Sequence, residues 1–174
     1  ASRGADEPPS RVNALDLPLD PGWAVAVSTV MWTVIGLATG FVGSRLPDAA
    51  IDHDTWLTRI RDVEDHGRIY QRRLRLNRWK DLLPEAGALF PGGTSKRHLP
   101  GRDDRSLIRF AMETRRAELV HWANLVAGPI FFIWCPPGLG AAMVSFGIAA
   151  HLPFIVVQRS NRAQIERILD ARRT

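Results

Sequence analysis

Residues 23–44 read WAVAVSTVMWTVIGLATGFVGS, a run of 22 positions without a formal charge. As an α-helix this run reaches about 33 Å at ~1.5 Å per residue, enough to cross a hydrocarbon core of about 30 Å. Trp23 lies at its end, where an indole favours the bilayer interface. Gly36 and Gly40 form a small-xxx-small pair that lets another helix approach, either a second span of this chain or a partner's span.

Beyond this run the charge is segmental. His121 to Val157 is again free of formal charge, so the 24% charged residues of the 174-residue chain fall into three polar stretches. That block pattern predicts an all-α integral membrane protein rather than an amphipathic soluble one. The second apolar stretch is too long for one straight span, and Pro136, Pro137, Gly138 and Gly140 interrupt it, which predicts a helical hairpin. Three spans follow, at about 23–44, 119–135 and 139–157. Each hairpin arm, of about 17 residues, is at the short end for a crossing, so a tilted or re-entrant hairpin is the alternative.

The first 22 residues form a Pro-containing acidic lead, with Arg3 and Arg11 against Asp6, Glu7, Asp16 and Asp20. They lack the basic start, short apolar core and cleavage site of a secretory signal, so the first span is expected to be retained. Residues 46–120 hold 15 Lys or Arg against 12 Asp or Glu, and the tail from Gln158 holds five Arg against Glu166 and Asp170. Three crossings put the region 46–118 and the basic tail 158–174 on one side. Their Lys and Arg excess makes that side cytoplasmic, leaves the N-terminus outside and predicts a multi-pass cell-membrane protein. Residues 54–76 and 104–120 have helix-compatible apolar spacing, carried by Leu57, Ile60 and Val63 and by Leu107, Phe110, Ala111 and Thr114. Between them LLPEAGALFPGGTSKRHLPG, residues 82–101, reads as a loop.

The chemistry-bearing string is ETRRAELVHW, Glu113 to Trp122, where a charged helix runs into an apolar segment. At about 100° per residue, Glu113 and His121 share a face and Glu118 lies about 60° beyond His121. Two carboxylates can then flank one imidazole, an arrangement suited to a general base, with Glu118 or Glu113 orienting His121. The alternative is a helix end in which Glu113, Arg115, Arg116 and Glu118 solvate one another. Glu118 and His121 also form one Glu-x-x-His unit, whereas a di-metal carboxylate centre needs two, so no metal is expected. His53, His66 and His98 have no ligand spacing and read as solvated. His151, in the third span, is either functional or a neutral imidazole bonded to the carbonyl that Pro153 frees. Cys135 has no partner cysteine and lies in an apolar setting that suppresses thiolate, which argues against a covalent acyl-enzyme.

Two basic motifs fall on the expected cytoplasmic face, NRWKDLLPE (Asn77–Glu85) and VQRSNR (Val157–Arg162). Arg78, Lys80, Arg116, Arg159, Asn161 and Arg162 are the candidates for binding an anion, either the phosphates of an acyl-CoA-type donor or lipid headgroups. The net charge of +5 fits that role better than nucleic acid, since no aromatic stacking pattern accompanies the basic residues. Absence of G-x-S-x-G, P-loop and dinucleotide fingerprints weighs against hydrolases, NTPases and Rossmann enzymes.

In order along the chain, RLPD (Arg45–Asp48), EDHGRIY (Glu64–Tyr70), NRWKDLLPE, ETRRAELVHW and HLPFIVVQRSNR (His151–Arg162) follow a first span. This pattern resembles the glycosyl-4,4'-diaponeurosporenoate acyltransferase family, small membrane enzymes that esterify the sugar of a staphyloxanthin-type carotenoid. Ser160 stands where the family pattern usually has Tyr and His151 where Asn is familiar. The resemblance implies a membrane acyltransferase in carotenoid or glycolipid synthesis, with no bound cofactor and with acyl-CoA or another acyl thioester as co-substrate. Its expected partners are membrane lipids, a long apolar glycosylated acceptor and the thioester donor, with oligomerisation through Gly36 and Gly40 as an option. A non-catalytic accessory subunit of a larger membrane complex is the competing expectation.

Overall fold

The computed structural model describes residues 19–83 and 103–174, and among these every regular element is helical. Most of the segment read as a loop, with His98 in it, and the first 18 residues lie outside the described residues.

Helix α1 spans Pro21–Ser44. Asp20 caps it by accepting from the Gly22 amide at 3.0 Å, and Pro21 takes the first turn, where its missing N–H costs nothing. Its hydroxyls turn inward: Thr29 and Thr33 donate to the carbonyls of Val25 and Thr29, each at 3.0 Å, so the helix exposes few unpaired polar groups. Only 11% of its most apolar stretch is buried, with Val30, Val34, Leu37 and Phe41 facing outward. A water-soluble core helix hides such a face; this one is left uncovered by the protein.

Past a 3-10 turn at Asp48–Ala50, the region expected to be helical over 54–76 is instead mostly irregular. It contains a 3-10 turn, Asp62–Gly67, and one short helix, α2, Arg68–Arg72. Val63, assigned to the buried face of the expected helix, is 78% exposed. The cause is a competing set of hydrogen bonds: the carbonyls of Leu57, Thr58 and Arg59 accept from Arg159 and Arg162, and an α-helix would have consumed them internally. Left-handed backbone at Asp65, His66 and Gly67 then turns the chain.

Gly67 has φ +82°, and a β-carbon there would stand 2.6 Å from Ala163 Cβ on the helix behind it. The expected result of Gly67→Ala is a loss of about 1–3 kcal/mol from strain and overpacking, read as a lower unfolding temperature in detergent. An unchanged Tm would show that this turn does not sit tightly on the helix.

Helix α3 covers Asp104–Ala127, capped by Asp103, which accepts from the Ser106 amide at 3.0 Å. The face expected from spacing is the buried one: Leu107, Phe110 and Ala111 pack with Ile165, and Thr114 is buried one turn further on. The arm expected as a span over 119–135 is α-helical only to Ala127 and continues as a 3-10 segment, Gly128–Ile133. Pro129 supplies the reason, since it has no N–H to donate to the carbonyl one turn back. The expected turn at Pro136 and Pro137 is present and starts α4, a 37-residue helix over Pro137–Arg173 that runs through Pro153.

Helices α1, α3 and α4 pack side by side with alternating direction. The α1 start meets the α3–α4 turn, where Leu19 N donates to Trp134 O at 2.8 Å and Trp134 Nε1 to Ser28 Oγ at 3.0 Å. Its far end meets mid-α3, where Arg116 Nη1 donates to Gly43 O at 2.8 Å. Gly40 is buried, while Gly36 has open space beside it, so only one member of the expected small-residue pair packs within the chain. Two of the helices, α1 and α4, are long and apolar enough to cross a membrane.

Candidate functional site

At the polar end of the bundle, α4 presents Arg159 and Arg162 three positions apart, on one helical face toward α3. Glu118 of α3 meets both. Its Oε1 accepts from Arg159 Nη1 and its Oε2 from Arg162 Nη2, each at 2.6 Å, and Trp122 Nε1 donates to Oε1 at 3.2 Å. Glu118 and Arg162 are fully buried. Arg159 is also gripped from its other edge by Glu64, with Nη2 to Oε1 at 2.5 Å and Nε to Oε2 at 3.0 Å. Its remaining donor capacity goes to the carbonyls of Leu57 at 3.1 Å and Arg59 at 2.7 Å. Arg162 bonds to the Thr58 carbonyl. The planar guanidinium fork suits such two-sided use; a lysine could not replace it.

Tyr70 donates to Glu64, closing the network on the α2 side. Burial pushes the Glu64 carboxyl up, but hydrogen bonds from Arg159, Tyr70 and the Arg61 amide outweigh it and hold the group below its ordinary range. Burial and the neighbouring Glu64 carboxylate push the Tyr70 phenol well up, so it stays a donor. Burial opposes the Arg159 charge, yet Glu64 and Glu118 raise its pKa overall. Beside this network Arg115 Nε donates to Asp54 at 2.7 Å, and Arg162 Nε stands 3.7 Å from the same carboxylate. A cavity of about 190 Å³ opens here, lined by Asp54, Arg59, Arg61, His66, Glu166 and Arg167 among others. Burial and nearby Asp54 raise the Glu166 carboxyl.

One turn along α3 toward the apolar half sits His121. Its Nδ1 lies 3.1 Å from Nδ1 of His151 on α4, and its ring stacks on Phe154 with centroids 4.8 Å apart. His151 in turn lies against Trp32 of α1, centroids 5.8 Å apart.

The candidate residues therefore divide. Glu118, Arg159 and Arg162 come together, with His121 adjacent in the chain. Glu118 directs both oxygens to arginines and an indole, and Glu113 pairs with Arg116 at 3.1 Å and Arg109 at 3.3 Å. The imidazole of His151 stands against His121 Nδ1. Arg116 is further occupied by the carbonyls of Gly43 and Leu46. Asn161, which lies between the two network arginines in sequence, is half-buried. Arg78, exposed, and Lys80, half-buried, flank Trp79, which packs on the Tyr70, Leu76 and Val157 cluster. His53 is exposed beside Asp52, as its polar context suggested. Among the described residues no group of three or more His, Cys, Asp or Glu side chains is placed to hold a metal ion.

Spacing could not reveal Glu64 and Tyr70, although the EDHGRIY string that holds them carries part of the family resemblance; their partner Arg159 is 95 residues from Glu64 in sequence. The family model for glycosyl-4,4'-diaponeurosporenoate acyltransferase matches residues 53–171. The chain belongs to the glycosyl-4,4'-diaponeurosporenoate acyltransferase family. Similar members include the glycosyl-4,4'-diaponeurosporenoate acyltransferase of Staphylococcus haemolyticus (strain JCSC1435), 30% identical over 141 residues, which cover 80% of this chain and 81% of the relative. The protein of that name from Staphylococcus aureus (strain USA300) is 25% identical over 141 residues, 81% of this chain and 85% of its own. No solved structure matches. The part matched by this acyltransferase family contains the whole ion-pair network and both histidines, while α1 lies ahead of it.

Proposed function

We propose that this family member is an integral membrane O-acyltransferase that moves a fatty acyl group from a thioester to a hydroxyl of a glycosylated lipid or carotenoid. The observation that carries the reading is the family match over 53–171, whose acyltransferase relatives are named for a glycosylated carotenoid acid. The position of His121, between an ion-pair network and uncovered apolar helix faces, supports it: a lipid hydroxyl and a cytosolic thioester can meet there.

In this reading the acceptor hydroxyl attacks the thioester carbonyl while the His121 imidazole takes its proton. The C–S bond breaks, the new ester forms, and the leaving thiolate recovers the proton from the imidazolium. Glu118 and Glu113 support the site indirectly, Glu118 by locking α4 against α3. Arg78, Lys80 and Asn161 serve donor phosphates. Arg116, Arg159 and Arg162 frame the site with positive charge, since protein carboxylates and carbonyls hold all three in place. The uncovered faces of α1 and α4 meet lipid and the long acceptor, and no bound cofactor takes part.

Three crossings also belong to this proposal. The alternating helix directions support them, because the α1 start and the 134–137 turn lie at one end, and the polar network and tail at the other. The tail is then cytoplasmic and the N-terminus outside. With Cys135 buried, a Thr174→Cys protein is expected to resist an impermeant thiol reagent in intact cells and to react after permeabilisation. Ready labelling from outside would reverse the topology.

Pigment and lipid extraction tests the function: cells making a glycosylated carotenoid should gain its fatty acyl ester when they express this chain. Unchanged glycolipid and carotenoid profiles would favour the accessory subunit, for which the open space at Gly36 offers a packing position.

A further inference from the structure

We infer that the turn formed by Arg72, Arg73, Leu74 and Arg75 is a docking surface for anionic lipid headgroups, at the face of the bilayer where α4 leaves it. The inference goes beyond the proposed acyl transfer and rests only on the membrane-spanning reading of the helices.

From Arg68 to Lys80 the chain carries six cations and no Asp or Glu. Among the described residues, only Arg68 and Arg72 of these six have a carboxylate within ion-pair reach, and both use Asp65, at 3.8 and 3.4 Å. The segment is nevertheless firmly built. Gln71 clasps Asn77 twice, accepting from its amide at 3.3 Å and donating to its Oδ1 at 3.1 Å. Trp79 Nε1 donates to the Leu74 carbonyl at 2.8 Å, and Leu76 is buried against Tyr70 and Val157. Arg75 takes left-handed backbone, φ +48°, which is uncommon for any residue but glycine. The product is an ordered turn that exposes Arg72, Arg73, Leu74 and Arg75 together. Guanidinium groups held side by side repel one another, and a headgroup phosphate relieves that repulsion by accepting their paired N–H groups.

Placement selects a lipid over a soluble anion. Val157, on which the turn packs, is the last residue of the charge-free run from His121, so the turn stands where α4 meets the headgroups. Leu74 is 46% exposed, and Leu82, just past Trp79, is 82% exposed. Apolar side chains among cations suit a surface that offers phosphate and hydrocarbon side by side, as a soluble anion does not.

The test offers the purified full chain, in a neutral detergent, equal amounts of dioleoylphosphatidylglycerol and dioleoylphosphatidylcholine, and reads the bound lipids by native mass spectrometry. Phosphatidylglycerol is expected to bind at least about 10-fold more tightly, and less so as salt rises. Arg72→Gln, Arg73→Gln and Arg75→Gln together should remove most of that preference at an unchanged unfolding temperature. Lysine at the same three positions should keep it within about threefold, because a point charge suffices at an anionic surface. A parent chain without the preference, or a Gln variant that keeps it, overturns the inference. A Lys variant that loses it as Gln does overturns it too, since shape rather than charge would then be at work. Displacement of the lipid by coenzyme A, or an arginine-dependent grip on acyl carrier protein in its place, would give these side chains to the donor and overturn it as well. No donor or acceptor enters the lipid measurement, so absent acyl transfer would sink the proposed function and leave this result standing.

Discussion

Glu118→Ala is expected to cost about 3–5 kcal/mol of stability, the largest effect of any single substitution outside the chemistry. Removing the carboxylate leaves Arg162 fully buried with only the Thr58 carbonyl as a hydrogen-bond partner and strips Arg159 of one of its two acids. Arg162 already has Nε and Nη1 without a hydrogen-bond partner, so the site has no slack to absorb a further loss. Domains of this size are stable by about 5–15 kcal/mol, so the variant should unfold at a much lower temperature in detergent or be recovered poorly from membranes. Glu118→Gln retains an acceptor but not the charge and should fall between parent and Ala. If Glu118→Ala keeps the parent Tm, the buried network does not hold α3 to α4.

His121→Gln carries the opposite signature. The ring is half-buried at the bundle edge, and Gln keeps much of its volume and one hydrogen-bonding group, so the unfolding temperature should stay near that of the parent. Turnover should fall by about 10²-fold or more, because the amide has no basic nitrogen to take the acceptor proton. Measured on the same preparations, the two variants separate a structural carboxylate from a catalytic imidazole. Full turnover in a normally inserted His121→Gln protein would leave ETRRAELVHW a purely structural segment, an ion-paired helix that holds α4.

The sequence displayed the long-range plan more fully than the site. Helix α1 matches the charge-free run to within two residues at its start, since charge and Pro21 mark its limits. The α3 face was visible at Leu107, Phe110, Ala111 and Thr114 because a 3.6-residue period belongs to one element. The helix expected over 54–76 failed for a tertiary reason, as guanidinium groups 100 or more residues away take the carbonyls of that segment. The same limit governed the site. Periodicity along α3 put Glu118 near His121, but what faces each side chain is decided by α4, where Arg159 and Arg162 claim the carboxylate and His151 meets the imidazole. Such pairing across 30 to 44 residues is set by helix packing and leaves no local spacing to read.

Acyl transfer with His121 as base is measured most directly with purified protein in bilayers supplied with acyl-labelled palmitoyl-coenzyme A and glycosyl-4,4'-diaponeurosporenoate. Labelled ester is expected with the parent protein, and at least about 10²-fold less with His121→Gln at equal folded protein. No ester from the parent, or equal ester from both, would contradict it.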